Sequence, residues 1–176
     1  MNIHIGALLI STPLLHNTNF EKAIIFITEY NEKGATGFVV NYPFARVLNE
    51  LVEFNYAKPF PLFDGGPVEK EGLFFLHRCS DIINNGNEVT GNIYMSGNFK
   101  QAVEAINKQD ISTNDIKLFI GYCGWDAGEL EAEIAEGSWK GLNVPLDIVF
   151  NDGKENLWDD LYSSFNKKSS PLERED

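Results

Sequence analysis

The sequence predicts an α+β domain built on a largely antiparallel sheet, and three observations carry that prediction. Strand-like apolar segments come early and are joined by a short turn. Helical stripes are interspersed later without a regular strand–helix–strand alternation. The 176 residues, 43% of them hydrophobic, with 13 phenylalanines, are enough for one well-filled core, and no repeat or interior linker divides them.

Taken in order, Ile5 to Ser11 is a continuous apolar run ended by Pro13, as in a buried strand. Lys22 to Tyr30 and Ala35 to Asn41 are two further strands, and Asn31-Glu32-Lys33-Gly34 between them makes a hairpin turn. Pro43 suits a first helical position, and Val47, Leu48, Leu51 and Val52 would form the buried stripe of that helix. Pro59 and Pro61 forbid a helix before the turn Asp64-Gly65-Gly66-Pro67, and Leu73 to His77 is the next strand.

After a polar loop from Ile82 to Glu88, a weaker strand is expected from Val89 to Met95, bulged at Gly91. Ser96 or Asn98 can cap a helix from Phe99 to Asn107, whose Phe99, Ala102, Val103 and Ile106 fall on one face. Ile116 to Tyr122 is a strand running into Gly121-Tyr122-Cys123-Gly124-Trp125, and a short acidic helix follows, capped by Asp126 with Glu129. Leu146 to Phe150 is expected as a strand, and Trp158, Leu161, Tyr162 and Phe165 mark a last helix from Glu155 to Phe165. The single domain thus occupies residues 1–165, and the polar stretch 166–176 is expected to be a disordered tail.

Charge and composition narrow the function classes. Lys plus Arg number 14 against 26 Asp plus Glu, a formal net charge of -12 that repels phosphate backbones and anionic lipid, and no helix gathers Lys or Arg on one face. Direct nucleic-acid binding is disfavoured and no membrane association is expected. The first 15 residues lack a basic leader, and two cysteines build no disulfide framework, so the expected compartment is the reducing cytoplasm.

Candidate chemistry is sparse. Glu131 falls beside the apolar stripe of Ala127, Leu130 and Ile134, which predicts a half-buried acid needing a partner such as Arg46 or Arg78, and Glu131→Gln more destabilising than Glu133→Gln. Cys123, placed just before a helix, could be a reactive thiolate, but an inert core thiol is the preferred reading. His77 beside Cys79 is preferred as a hydrogen-bonded structural residue, since no ligand spacing exists for a metal. A phosphate cradle at Gly121, Gly124 and Gly128 would compete with Asp126. Neither a catalytic residue nor a cofactor is assigned.

Gly6-Ala7-Leu8-Leu9-Ile10 with Pro13, Phe20, Gly34-Ala35-Thr36-Gly37 with Asn41 and Pro43, Gly65-Gly66-Pro67-Val68, Leu76-His77, and Gly121-Tyr122-Cys123-Gly124-Trp125 with Gly128, Leu130, Glu131, Glu133 and Trp139 form an ordered set. Together they resemble the AlgH/YqgE family of bacterial proteins, from about residue 5 to residue 165. The resemblance implies a single domain with a bent, pseudo-barrel-like sheet flanked by helices. It implies no established biochemical activity; members are often labelled transcriptional regulators through an association with gene expression, not a DNA-binding motif. The chain departs from the family at Tyr42, often basic there, at Cys123, usually alanine, and at Glu129, usually glutamine.

Two functions follow as expectations. One is a non-enzymatic cytoplasmic regulatory or binding protein that acts through a protein partner or small ligand. The alternative is a small-molecule-binding protein or enzyme with a pocket near His77 and Glu131. The residues expected to build a site are Asn41, Gly65, Gly66, His77, Gly121, Gly124, Trp125 and Glu131.

Overall fold

The computed structural model describes residues 2–153 and 156–169, with side chains through residue 165. Among the described residues ten strands form one bent sheet, in the order β10 (Trp139–Leu142), β1 (Leu8–Ser11), β2 (Ile24–Asn31), β3 (Gly34–Val39), β9 (Ile116–Asp126), β6 (Val68–His77), β8 (Ile93–Met95) and β7 (Asn87–Thr90), with β5 (Pro61–Asp64) also paired to β9 and β4 (Pro43–Val47) paired to β5. β1 (Leu8–Ser11), β2 (Ile24–Asn31) and β3 (Gly34–Val39) follow each other antiparallel. The hairpin at Asn31 to Gly34 forms as its turn residues require, because Asn31 Oδ1 accepts the Lys33 N–H. β9 (Ile116–Asp126) is the hub, pairing antiparallel with β3 and β6 (Val68–His77) and parallel with β5 (Pro61–Asp64). The ends of the path, β10 (Trp139–Leu142) and β7 (Asn87–Thr90), do not pair, although Gly6 before β1 lies against Thr90. The sheet is therefore curled and open.

Period-2 alternation divides its side chains between two faces. Leu8, Ile10, Ile24, Phe26, Phe38, Leu76 and Phe119 fill the inside of the curl. Leu9, Ile25, Ile27, Val39, Cys123 and Trp125 face outward under α2 (Glu129–Ala135), while Phe75, Ile116, Leu118 and Ile120 face outward under α1 (Phe99–Lys108). Burial on both faces explains why these strands read as unbroken apolar runs. α1 forms where its stripe predicts, with Asn98 accepting the Gln101 N–H as N-cap. Ser96 instead adopts φ 64 and does not cap.

Five expectations are corrected. Residues from Pro43 form an edge strand, β4 (Pro43–Val47), followed by single 3-10 turns at Leu48–Glu50 and Val52–Phe54. Pairing with β5 wins over the helical spacing, and Val52 is left 82% exposed. The weak strand from Val89 is two strands, β7 and β8 (Ile93–Met95), because Gly91 at φ 55 turns the chain instead of bulging it. β9 does not end at the glycine motif but runs through it to Asp126, so no strand–turn–helix junction exists at Gly121 or Gly124. Gly128, not Asp126, is the N-cap of α2; Glu129 Oε1 accepts the Asp126 N–H at 2.9 Å. Leu146–Phe150 is a 3-10 helix, and the extended segment after Ser138 is β10.

α3 (Leu157–Ser169) takes the place of the last expected helix, with Trp158 Nε1 donating to Ser11 O at 3.0 Å. It carries residues 166–169 of the expected tail as helix; residues 170–176 and Glu155 lie outside the described residues.

Candidate functional site

The glycines of the two motifs meet back to back. A Cβ on Gly66, at φ 150, would lie 2.3 Å from the Tyr122 carbonyl, and one on Gly121, at φ 74, would lie 2.4 Å from Gly66 O. Gly65 is as tight, 2.4 Å from Gly121 O, and its N–H donates to Ile120 O at 2.8 Å. Here the residue type is fixed by close backbone approach between the β5–β6 connection and β9. Gly124 differs, since its Cβ would meet nothing nearer than 3.8 Å.

That approach builds one wall of a cleft of about 150 Å³ lined by Asn19, Phe20, Val39, Tyr42, Asp64, Gly66, Pro67 and Lys70. Asp64 Oδ1 accepts the Gly66 N–H at 3.2 Å and pairs with Lys70 Nζ at 2.5 Å, both side chains partly exposed. Tyr42 donates its hydroxyl to Glu21 O, and burial, with Glu21 and Asp64 near, pushes the phenol above its ordinary value. Asn41, next in chain, accepts the Ile24 N–H at 2.9 Å and donates to Lys22 O at 2.9 Å, bracing the corner from which Tyr42 projects.

Behind the cleft Phe20 stacks on Trp125 at 6.4 Å and meets Trp139 edge-on at 5.6 Å. Glu133 Oε1 accepts both indole N–H groups, at 3.2 Å from Trp125 and 2.9 Å from Trp139. The acid with a buried task is thus Glu133. Glu131 is exposed and accepts the Tyr30 hydroxyl at 2.8 Å, while Arg46 donates to Glu50 O and Arg78 pairs with Asp147.

Cys123 is buried in β9, not ahead of a helix, and its Sγ donates to Gly65 O at 3.3 Å; burial pushes the thiol up to about 12, which keeps it protonated and unreactive. His77 is fully buried, with Nδ1 accepting the Cys79 N–H and Nε2 donating to Ser96 O, and burial lowers its pKa. This is the structural histidine expected. His77 pairs with Ile116, whereas Glu131 bonds Tyr30, whose partner Ala35 faces Trp125. From Ile116 to Trp125 the strand runs roughly 30 Å at ~3.3 Å per residue. The pocket expected near His77 and Glu131 is not assembled.

Lys117 is the buried ionisable residue that sequence reasoning missed. Its Nζ donates to the carbonyls of Val40, Val149 and Asn151 and sits 4.0 Å over the Phe63 ring. Burial lowers it to about 7 against an opposing pull from Asp152. A lysine inside the apolar run Ile116 to Ile120 was the available signal. The described residues hold no group of three or more His, Cys, Asp or Glu placed to bind a metal.

Fold and cleft together define a bent-sheet α+β protein with a small mixed-charge cleft. The AlgH-like family model matches residues 8–170, and the chain belongs to that family. A UPF0301 protein of Chlorobium chlorochromatii is 33% identical over 154 residues, covering 87% of this chain and 81% of the relative. Two solved structures share the fold. A protein of Corynebacterium diphtheriae matches with TM-score 0.74 at 20% identity, over 91% of this chain and 86% of that one. The AlgH protein of Pseudomonas aeruginosa matches with TM-score 0.70 at 24% identity, over 98% and 95%. The biochemical function of the family is not known.

Proposed function

We propose that this chain is a non-enzymatic cytoplasmic binding protein that regulates through contacts made at the Tyr42–Asp64–Lys70 cleft. One observation carries the reading: the buried groups capable of chemistry, His77, Cys79, Cys123 and Lys117, are committed to backbone partners, whereas the Asp64–Lys70 pair stands open at the cleft. A binding site needs displaceable polar groups over an apolar floor, which Phe20, Val39 and Pro67 supply. Both cysteines are free and buried, as a reducing compartment would keep them, and this supports the cytoplasmic reading. With a net charge of -12, an effect on transcription would run through a protein contact and not through a grip on DNA.

Native mass spectrometry of protein taken from cells tests this. The wild type should retain a protein or small molecule that the Asp64→Ser/Lys70→Ser double variant loses at unchanged melting temperature. Equal retention by both would remove the cleft from the function.

A further inference from the structure

β6 leaves regular pairing where it passes the cleft. Val68 pairs with Tyr122 and Leu73 with Ile120, so residues 69–72 stand opposite Gly121 alone, with Glu69 at φ 50. Bulges re-aim side chains, and this one carries Lys70 back onto Asp64. Lys70 also lines a second, larger groove of about 450 Å³, beside Phe44, Arg46, Glu53 and Glu71. Lys70 thus borders two depressions, the cleft where its ammonium meets Asp64 and a groove where Glu53 and Glu71 stand with Arg46.

We propose that the cleft receives a guanidinium or ammonium side chain of a basic protein segment, with Asp64 as counter-ion and Lys70 as an internal occupant displaced into the neighbouring groove. The proposal rests on the reading of the cleft as a binding site. Lys70 shows that a cation fits there. Its pair with Asp64 is partly exposed, with side chains 46% and 34% accessible, and such pairs hold weakly. The rings of Phe20 and Tyr42 line the same space, and aromatic faces attract cations. The Tyr42 hydroxyl is already engaged by Glu21 O, which leaves the ring as what this residue offers. Arginine has the advantage over Lys70 because its planar fork can take both oxygens of one carboxylate. The net charge of -12 draws a basic segment in, whereas an anion would meet Asp64 and that same field.

Fluorescence anisotropy with a labelled arginine-containing peptide tests this on the full chain at low salt, with spermine as the free-amine probe. Asp64→Asn should weaken the peptide by about tenfold or more, the loss of one charge-assisted contact. Lys70→Met should tighten it several-fold by removing the competitor, and Asp126→Asn, which removes a carboxylate outside the cleft, should change little. Melting curves establish that each variant is folded. Equal weakening by Asp64→Asn and Asp126→Asn, or no gain from Lys70→Met, overturns the proposal. Spermine binding more tightly than the peptide, with the same dependence on Asp64, overturns the protein partner as the source of the cation. If the peptide fails while a species retained from cells still requires the cleft, this inference falls and the binding reading stands; if retention ignores the cleft, the reading itself falls.

Discussion

Glu133 Oε1 lies 2.9 Å from the indole nitrogen of Trp139, a side chain 1% exposed, and the same oxygen takes the N–H of Trp125. One carboxylate therefore satisfies two largely buried donors from β9 and β10, and ties α2 to both strands. Unsatisfied buried donors cost about 1–3 kcal/mol each. Glu133→Ala should destabilise by about 3 kcal/mol in urea unfolding. Glu131→Ala, which frees only an exposed tyrosine hydroxyl, should fall within about 0.5 kcal/mol of wild type. Equal losses would show that the indoles find other acceptors. This order reverses the one expected from the helical wheel.

The wheel fails here for a physical reason. It places Glu131 and Glu133 relative to Leu130 and Ile134, but the indoles come from two strands, and which acid they reach is a tertiary matter. The β2–β3 hairpin and α1 were legible because alternation, turn chemistry and capping agreed with the final packing. The stretch from Pro43 to Val52 was not, since its spacing suits a helix while its partner, β5, lies beyond a loop without a pattern of its own. Leu146, Ile148 and Phe150 alternate as a strand would, and a 3-10 turn buries Val149 and Phe150 instead. Of the expected site residues, Gly66 lines the cleft, Gly65, Gly121 and Trp125 build its backing, and Asn41 braces its corner. Asp64, Lys70 and Tyr42 were invisible as a set because the β4–β5 pairing that puts Tyr42 beside Asp64 and the bulge in β6 that returns Lys70 to Asp64 leave no mark in the residue pattern.

Lys117 fastens three separate pieces of chain through the carbonyls of Val40, Val149 and Asn151. Lys117→Met should cost about 2–4 kcal/mol by leaving those acceptors unpaired. Its folded pKa of about 7 lies below the ordinary 10.5, so burial outweighs the three carbonyls and the Phe63 ring that favour the ammonium. Between those values the unfolded chain binds more protons, so this group makes stability rise with pH from about 7 toward 10.5. Urea midpoints at pH ~7, ~8 and ~9, across the window the linkage relation defines, should climb in the wild type relative to Lys117→Met. Parallel lines would place the lysine at its ordinary value.

His77 shifts in the same direction on the acid side. Its Nδ1 must stay unprotonated to accept the Cys79 N–H, and burial holds its pKa below the ordinary 6.5. Below 6.5 the unfolded histidine gains a proton that the folded one refuses, so stability is lost as pH falls through that region. Imidazole nitrogen shifts in an NMR titration should give His77 a midpoint below that of a free histidine, with Nε2–H as the neutral form. A midpoint at or above the free value, with no loss of stability on the acid side, would contradict the assignment.

The paired glycines permit a sharper comparison, because three of them share one strand neighbourhood and differ in space and in φ. Gly66→Ala and Gly121→Ala each press a methyl to within 2.3 and 2.4 Å of backbone atoms at positive φ. Neither neighbour is a side chain that can swing aside, so the β5–β6 connection would have to lift from β9 and open the cleft wall. Each should cost more than about 3 kcal/mol or abolish folding. Gly124→Ala has ordinary φ and 3.8 Å of clearance, and fewer unfolded conformations to lose, so it should be neutral or stabilising by about 0.5 kcal/mol. Thermal melts of the three variants decide the matter. If Gly124→Ala proves as damaging as the other two, close backbone approach is not what selects glycine in this motif, and a contact made at the exposed face of Gly124 becomes the reason to look for.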